Sequence, residues 1–239
     1  MAQSVGNAKN ILVGASPLFL STIDINDADY ISNAEPGVEI VAAPTGTPAT
    51  VGVPAFTNGT SYTTTLNGVD QVAGKFGYRN VGFTNNGLQI TYNPTYDSVT
   101  VDQLLDTAKL FKSAMEVMIA TEMSEGTLEN VVAVFGQAAN TLSSTGTGTG
   151  KKDTLGIAGG ALGEAPTERQ LIAVGQAPTS SATSAERIYY ARRVLSVQQS
   201  QFSLARTTPT TFPVTFRLLP DANYSGSEYG KIIDRVLVA

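Results

Sequence analysis

The amino-acid sequence predicts a mainly β protein, a β-sandwich or partly closed barrel with one flanking α-helix. Three observations carry that expectation. Between Ala114 and Met123, Met115, Val117, Ile119, Thr121 and Met123 fall on one side and Glu116, Met118, Ala120 and Glu122 on the other, the period of two that a strand imposes. Further short apolar or alternating segments recur along the chain, separated by clusters of Gly, Thr, Asn and Pro. After Glu125 the period changes, and Leu128, Val131, Val132, Phe135 and Ala138 or Ala139 recur at three and four, the stripe of an amphipathic helix. Many strands around one helix are expected to bury their faces as a sandwich or barrel.

Composition narrows the functional classes. At 239 residues the chain has ample length for a core, and it is read as a single domain spanning 1–239. Hydrophobic residues make up 42% but charged ones only 15%, which fits either a surface largely occupied by neighbours or a neutral soluble β domain. The net charge of −5 argues against a protein that grips nucleic acid through its phosphates. There is no cysteine, so neither disulfides nor thiolate chemistry are available, and no histidine, the commonest general base and transition-metal ligand. No charged-then-apolar leader and no apolar run of membrane length are visible, and the expected location is the cytosol or a particle assembled there.

Taken in order, residues 1–10 read as an N-terminal arm, and Ile11, Leu12 and Val13 open the first strand-like segment, continued by Pro17 to Leu20. Residues 21–36 read as a surface loop or short irregular helix, and Val38 to Val41 as a short strand. Residues 42–77 form a long insertion rich in Thr, Gly, Pro and Asn. Thr60 to Leu66 within it alternates and is followed by Asn67-Gly68, so this segment is either an extended hairpin reaching a neighbouring subunit or a surface insertion. Asn86-Gly87, between Val81-Gly82-Phe83 and Leu88 to Tyr92, predicts a second hairpin turn. The long strand follows, and then the helix, with Ser124 as expected N-cap and Glu125 at its positive end. The Gly-Thr run within 143–152 reads as a flexible, exposed loop. Later strands are expected at Thr154 to Ile157, Gln170 to Val174, Arg187 to Val197, Pro213 to Leu218 and Lys231 to Val238. The expected core is Met115, Val117, Ile119, Leu128, Val131, Val132, Phe135, Phe212, Val214 and Phe216.

Catalytic and cofactor patterns fail on inspection, and no enzyme, metal or cofactor is expected. Gly150-Lys151 follows a Gly-rich run, but a P-loop needs glycine at Thr145 and Ser or Thr at Lys152. Asp24, Asn26 and Glu35 have calcium-loop spacing, yet Ala28 replaces a ligand and Asp29 the turn glycine. Gly156, Gly159, Gly160 and Gly163 do not form a dinucleotide fingerprint. Nothing separates the acidities of Glu116 and Glu122 as an acid–base pair would need. Arg187, Arg192 and Arg193 are expected in salt bridges at a subunit interface.

A resemblance adds to this reading. The run Val81 to Tyr92, then Val101-Asp102-Gln103, the long strand, and Thr127-Leu128-Glu129-Asn130 resemble the core of the major tail tube proteins of long-tailed, siphovirus-type bacteriophages. Val214 to Asp221 and Tyr229 to Val236 are similar to that family's last two strands. The resemblance covers most of the chain from Arg79 onward. It implies a tail-tube-like fold and homo-hexameric rings stacked into a hollow tube, whose lumen holds a tape measure protein and later conducts genomic DNA without binding it specifically. It further implies tail terminator and distal tail or baseplate proteins as partners, and the virion tail as location, assembled in the host cytoplasm. The mixed strand face, Glu116, Met118, Ala120 and Glu122, is then expected to line the lumen, where carboxylates repel phosphates; the alternative is that this face packs on the helix. Ile11, Leu12, Val13, Val51, Val53, Phe56 and Tyr62 are expected in contacts between subunits or rings. The other readings of the same features are a capsid decoration, head-completion or connector protein, or the inner tube of a contractile tail.

Overall fold

The computed structural model describes residues 18–21, 24–25, 78–104, 106–177, 185–197, 200–204, 206–207 and 209–236. The expected arm, the strand segments at Ile11–Val13 and Val38–Val41, and the 42–77 insertion with Val51, Val53, Phe56 and Tyr62 lie outside these residues.

Among the described residues the protein is mainly β with one α-helix. The strands are β1 (Leu18–Ser21), β2 (Tyr78–Asn80), β3 (Thr84–Thr100), β4 (Thr107–Met123), β5 (Leu142–Thr145), β6 (Lys152–Leu155), β7 (Arg169–Gln176), β8 (Ala185–Ser196), β9 (Phe212–Leu218) and β10 (Gly230–Val236); the helix α1 spans Leu128–Val134. Eight strands form one antiparallel sheet in the order β2-β1-β7-β8-β9-β4-β3, with β10 also on β8, while β5 and β6 form a separate hairpin. The mainly β character and the antiparallel sheet are as expected, but among the described residues this sheet does not close into a barrel. Its outer strands keep edges that closure would have removed.

β8 explains the shape. One of its edges carries β7. The other carries β10 along Ala185–Ala191 and β9 along Val194–Ser196, so the sheet forks at residues 192–193 of β8. The β9-β4-β3 branch leaves one side of the fork and β10 the other.

Alternation places the core as the strand pattern requires. Val117, Ile119 and Met123 of β4 and Phe212, Val214, Phe216 and Leu218 of β9 pack with Leu18, Leu20, Leu171, Ala173 and Val194 under α1. On the opposite face of the central strands Phe19, Ile172, Val174 and Ile188 are also buried, so β7 is enclosed on both sides. Met115, expected in the core, is half-buried at its rim.

The helix departs from its expected limits. Thr127, not Ser124, caps it, its side chain accepting from the Asn130 N–H. At the other end Gly136 adopts φ 63°, Gly136 N–H donates to Ala133 and Gln137 N–H to Val132, the paired bonds of a left-handed helix stop. Seven residues cannot carry a long stripe. Val132, Ala133 and Val134 are buried, Leu128 and Val131 are half-buried, and Phe135 lies outside, 36% exposed, stacked on Phe202, which in turn packs on Phe212. Phe135 therefore leaves the predicted core.

Two local expectations also change. Asn86-Gly87 does not reverse the chain: both residues have positive φ, but they form a bulge inside β3, with Asn85 opposite Glu122 and Gln89 opposite Ala120. The Thr121 hydroxyl donates to the Gly87 carbonyl at 2.8 Å and fills the gap in the ladder. The reversal comes instead between Thr100 and Thr107. The Gly-Thr run expected as a loop is exposed but ordered into the β5–β6 hairpin, closed by a 3-10 turn over Gly148–Gly150.

Candidate assembly surface

β9 ends its pairing with β4 at Met118, so among the described residues Thr107–Val117 is paired with β3 alone. The two strands continue beyond the sheet as a ribbon for about 35 Å, at about 3.3 Å per residue. Lone two-stranded ribbons are marginal in water, and this one exposes large apolar groups on both faces. Tyr92, Tyr96 and Leu110, 58%, 56% and 64% exposed, continue the core side, with Lys112 Nζ 5.7 Å from the Tyr92 ring centre. Val99 and Phe111 lie on the other face. β3 also leaves its outer edge without a strand partner among the described residues.

Where the ribbon joins the sheet, the fork opens as a groove of about 260 Å³. Tyr92, Val117 and Ile119 form one wall and Tyr189, Tyr229 and Ile232 the other. Ile232 on β10 is 67% exposed. Groove and ribbon thus present one continuous apolar surface.

The opposite face of the same strands is polar. Glu116, Met118, Ala120 and Glu122 are half-exposed, on the face turned away from α1 and the core, which overturns the alternative that they pack on the helix. The register places Gln89, Thr91 and Asn93 of β3 and Thr215 and Arg217 of β9 beside them. Arg217 Nη1 approaches Glu116 Oε1 at 3.6 Å, and Asn85 Nδ2 donates to Glu122 Oε2 at 3.1 Å. This face is therefore polar and less acidic than the β4 sequence alone implies, because Arg217 comes from another strand.

The arginines expected at a subunit interface are engaged within the chain. Arg187 donates both fork nitrogens to Asp234, at 2.6 and 2.7 Å, which holds the Asp234 carboxyl below the ordinary carboxylate range and raises the Arg187 guanidinium. Arg193 grips Glu168 in the same bidentate manner at 2.6 and 2.9 Å. Arg192 lies 3.5 Å over the Tyr224 ring and donates to the Ser227 carbonyl.

Sequence reasoning missed two features that the fold brings together. Asn130, fully buried, accepts from Arg79 at 2.6 Å and donates to the carbonyls of Val81 and Glu125, tying β2 and the loops flanking β3 and β4 to α1. Arg169, buried in β7, donates to the carbonyls of Ser21 and Gln137. A polar residue among apolar neighbours, on the helix for Asn130 and on a strand for Arg169, is the signal each leaves in the sequence. Among the described residues, no group of three or more Asp and Glu side chains is placed to hold a metal ion, and no helix is long and apolar enough to cross a membrane. No protein-family model matches the chain, and no curated protein matches it in sequence.

Proposed function

We propose that this protein is a structural subunit that polymerises with copies of itself, and more particularly a tail tube protein of a long-tailed bacteriophage. The first step rests on the β3–β4 ribbon. An apolar two-stranded projection with an open edge is a template for another chain, and a protein that keeps one must cover it in its working state. A second copy is the natural cover, because identical subunits around a rotation axis pair every such edge once the ring closes.

The second step rests on the tail-tube resemblance, whose segments fall on β3, β4, α1, β9 and β10. In this reading six subunits close a ring, rings stack, and the polar Glu116–Glu122 face of β4 borders a channel through which DNA passes without adhering. The tape measure protein occupies the channel beforehand, and terminator and distal tail proteins cap the tube. The sheet that stays open in one chain becomes closed in the ring.

Negative-stain electron microscopy of the concentrated protein tests this. Long uniform tubes with a stain-filled channel are expected. Closed rings that never stack, or discrete spikes, would replace the tube with a connector or head component. A monomer at every concentration, with the ribbon open to protease, would remove self-assembly through the ribbon.

A further inference from the structure

We propose that a pocket between α1 and the β2-β1-β7 edge of the sheet is a binding site for one small oxyanion of the phosphate or sulfate class, gripped by Arg79 and Arg169. The pocket has a volume of about 130 Å³, room for a single tetrahedral anion and not for a nucleotide. Arg79, Arg169, Ser21 and Glu129 provide its polar lining; Leu20 and Val132 are among its apolar walls.

The charge balance points to the ligand. Arg79 donates to the Asn80 carbonyl at 3.2 Å and to Asn130 Oδ1 at 2.6 Å; Arg169 donates to the Ser21 and Gln137 carbonyls at 2.9 and 3.2 Å. All four acceptors are neutral, and neither guanidinium forms an ion pair with a described carboxylate, unlike Arg187 and Arg193. Burial lowers the pKa of both, and Arg169 also feels the charge of Arg79. The charges of Glu129 and Glu125 act on Arg79, and that of Asp24 on Arg169, each raising the pKa against the effect of burial. Two desolvated like charges sharing a pocket are costly without a counter-ion in contact. A guanidinium has five N–H groups, so both retain donors for a bridging anion, and the planar fork suits tetrahedral oxyanions. The bound anion joins β2 and β7 beneath α1 and neutralises the pair. Glu129, exposed on the first turn of α1 and lining the pocket, opposes anion entry and so tunes the affinity.

Calorimetric titration of phosphate, and separately sulfate, into the full chain tests the site, in chloride buffer of matched ionic strength. One saturable site is expected, with a thermal midpoint that rises in phosphate but not in chloride. Arg79→Gln should weaken binding about tenfold or more, the loss of charge-assisted hydrogen bonds. Glu129→Gln leaves the arginine contacts intact and should tighten binding about threefold. If Arg79→Gln fails to fold, the Glu129→Gln affinity decides. No saturable binding, or an affinity that Glu129→Gln leaves unchanged, would overturn the proposal.

Discussion

Replacing Tyr92, Tyr96 and Leu110 together by Ser separates folding from assembly. Each is more than half exposed in the single chain, so its loss should change monomer stability by at most about 0.5 kcal/mol per site. Burying such a side chain fully contributes about 1.5–3 kcal/mol. With about 0.6 of each still to be covered, the three sites withhold about 3–5 kcal/mol from every subunit contact that seats this face. That corresponds to a rise of about 10²- to 10⁴-fold in the concentration at which polymer forms. The assay is sedimentation of polymer against total protein, with the circular dichroism melt of the unassembled chain as control. A triple variant that melts normally and polymerises at the unaltered concentration would refute the ribbon as the assembly surface. A variant that loses its melt would show instead that these side chains hold the fold.

Three further outcomes follow from the geometry. Ile119→Ala removes a 3%-exposed side chain held between Ile90 and Phe216 and should cost about 2–5 kcal/mol, lowering the melting midpoint by about 2–4 °C per kcal/mol; an unshifted midpoint would take this face out of the core. Asn130→Leu loses three hydrogen bonds at once and strands the Val81 carbonyl, so the urea midpoint should fall by the equivalent of about 3 kcal/mol or more; an unchanged midpoint would show that the network is dispensable. Glu116→Lys combined with Glu122→Lys should give tubes that retain DNA and slow its ejection, because phosphates then meet cations along the wall. Tubes first verified by microscopy, yet ejecting DNA with unchanged efficiency, would argue against the lumen assignment.

What the sequence determined by itself was the identity of elements whose periodicity is long and regular. β4 and β9 announce themselves because a strand buried on one face must alternate, and that requirement is written residue by residue. The existence of α1 follows equally from its change of period. Its end did not, although Gly136 just past Val134 was the available stop signal, and a stripe extrapolated one residue too far put Phe135 in the core. Asn86-Gly87 shows the limit of local chemistry. Positive φ at two successive residues serves a turn or a bulge equally well, and the choice was made by β4, whose Thr121 pairs across the gap.

Only the tertiary structure decided which strands neighbour one another, because pairing energy depends on partners far away in the chain. That is why the fork on β8, the placement of Arg217 beside Glu116, and the meeting of Arg79 with Arg169 across 90 positions of sequence have no local signature. The same reason leaves the eight-stranded sheet open among the described residues. Its edges and its apolar ribbon are specified residue by residue, whereas what covers them depends on groups beyond these strands.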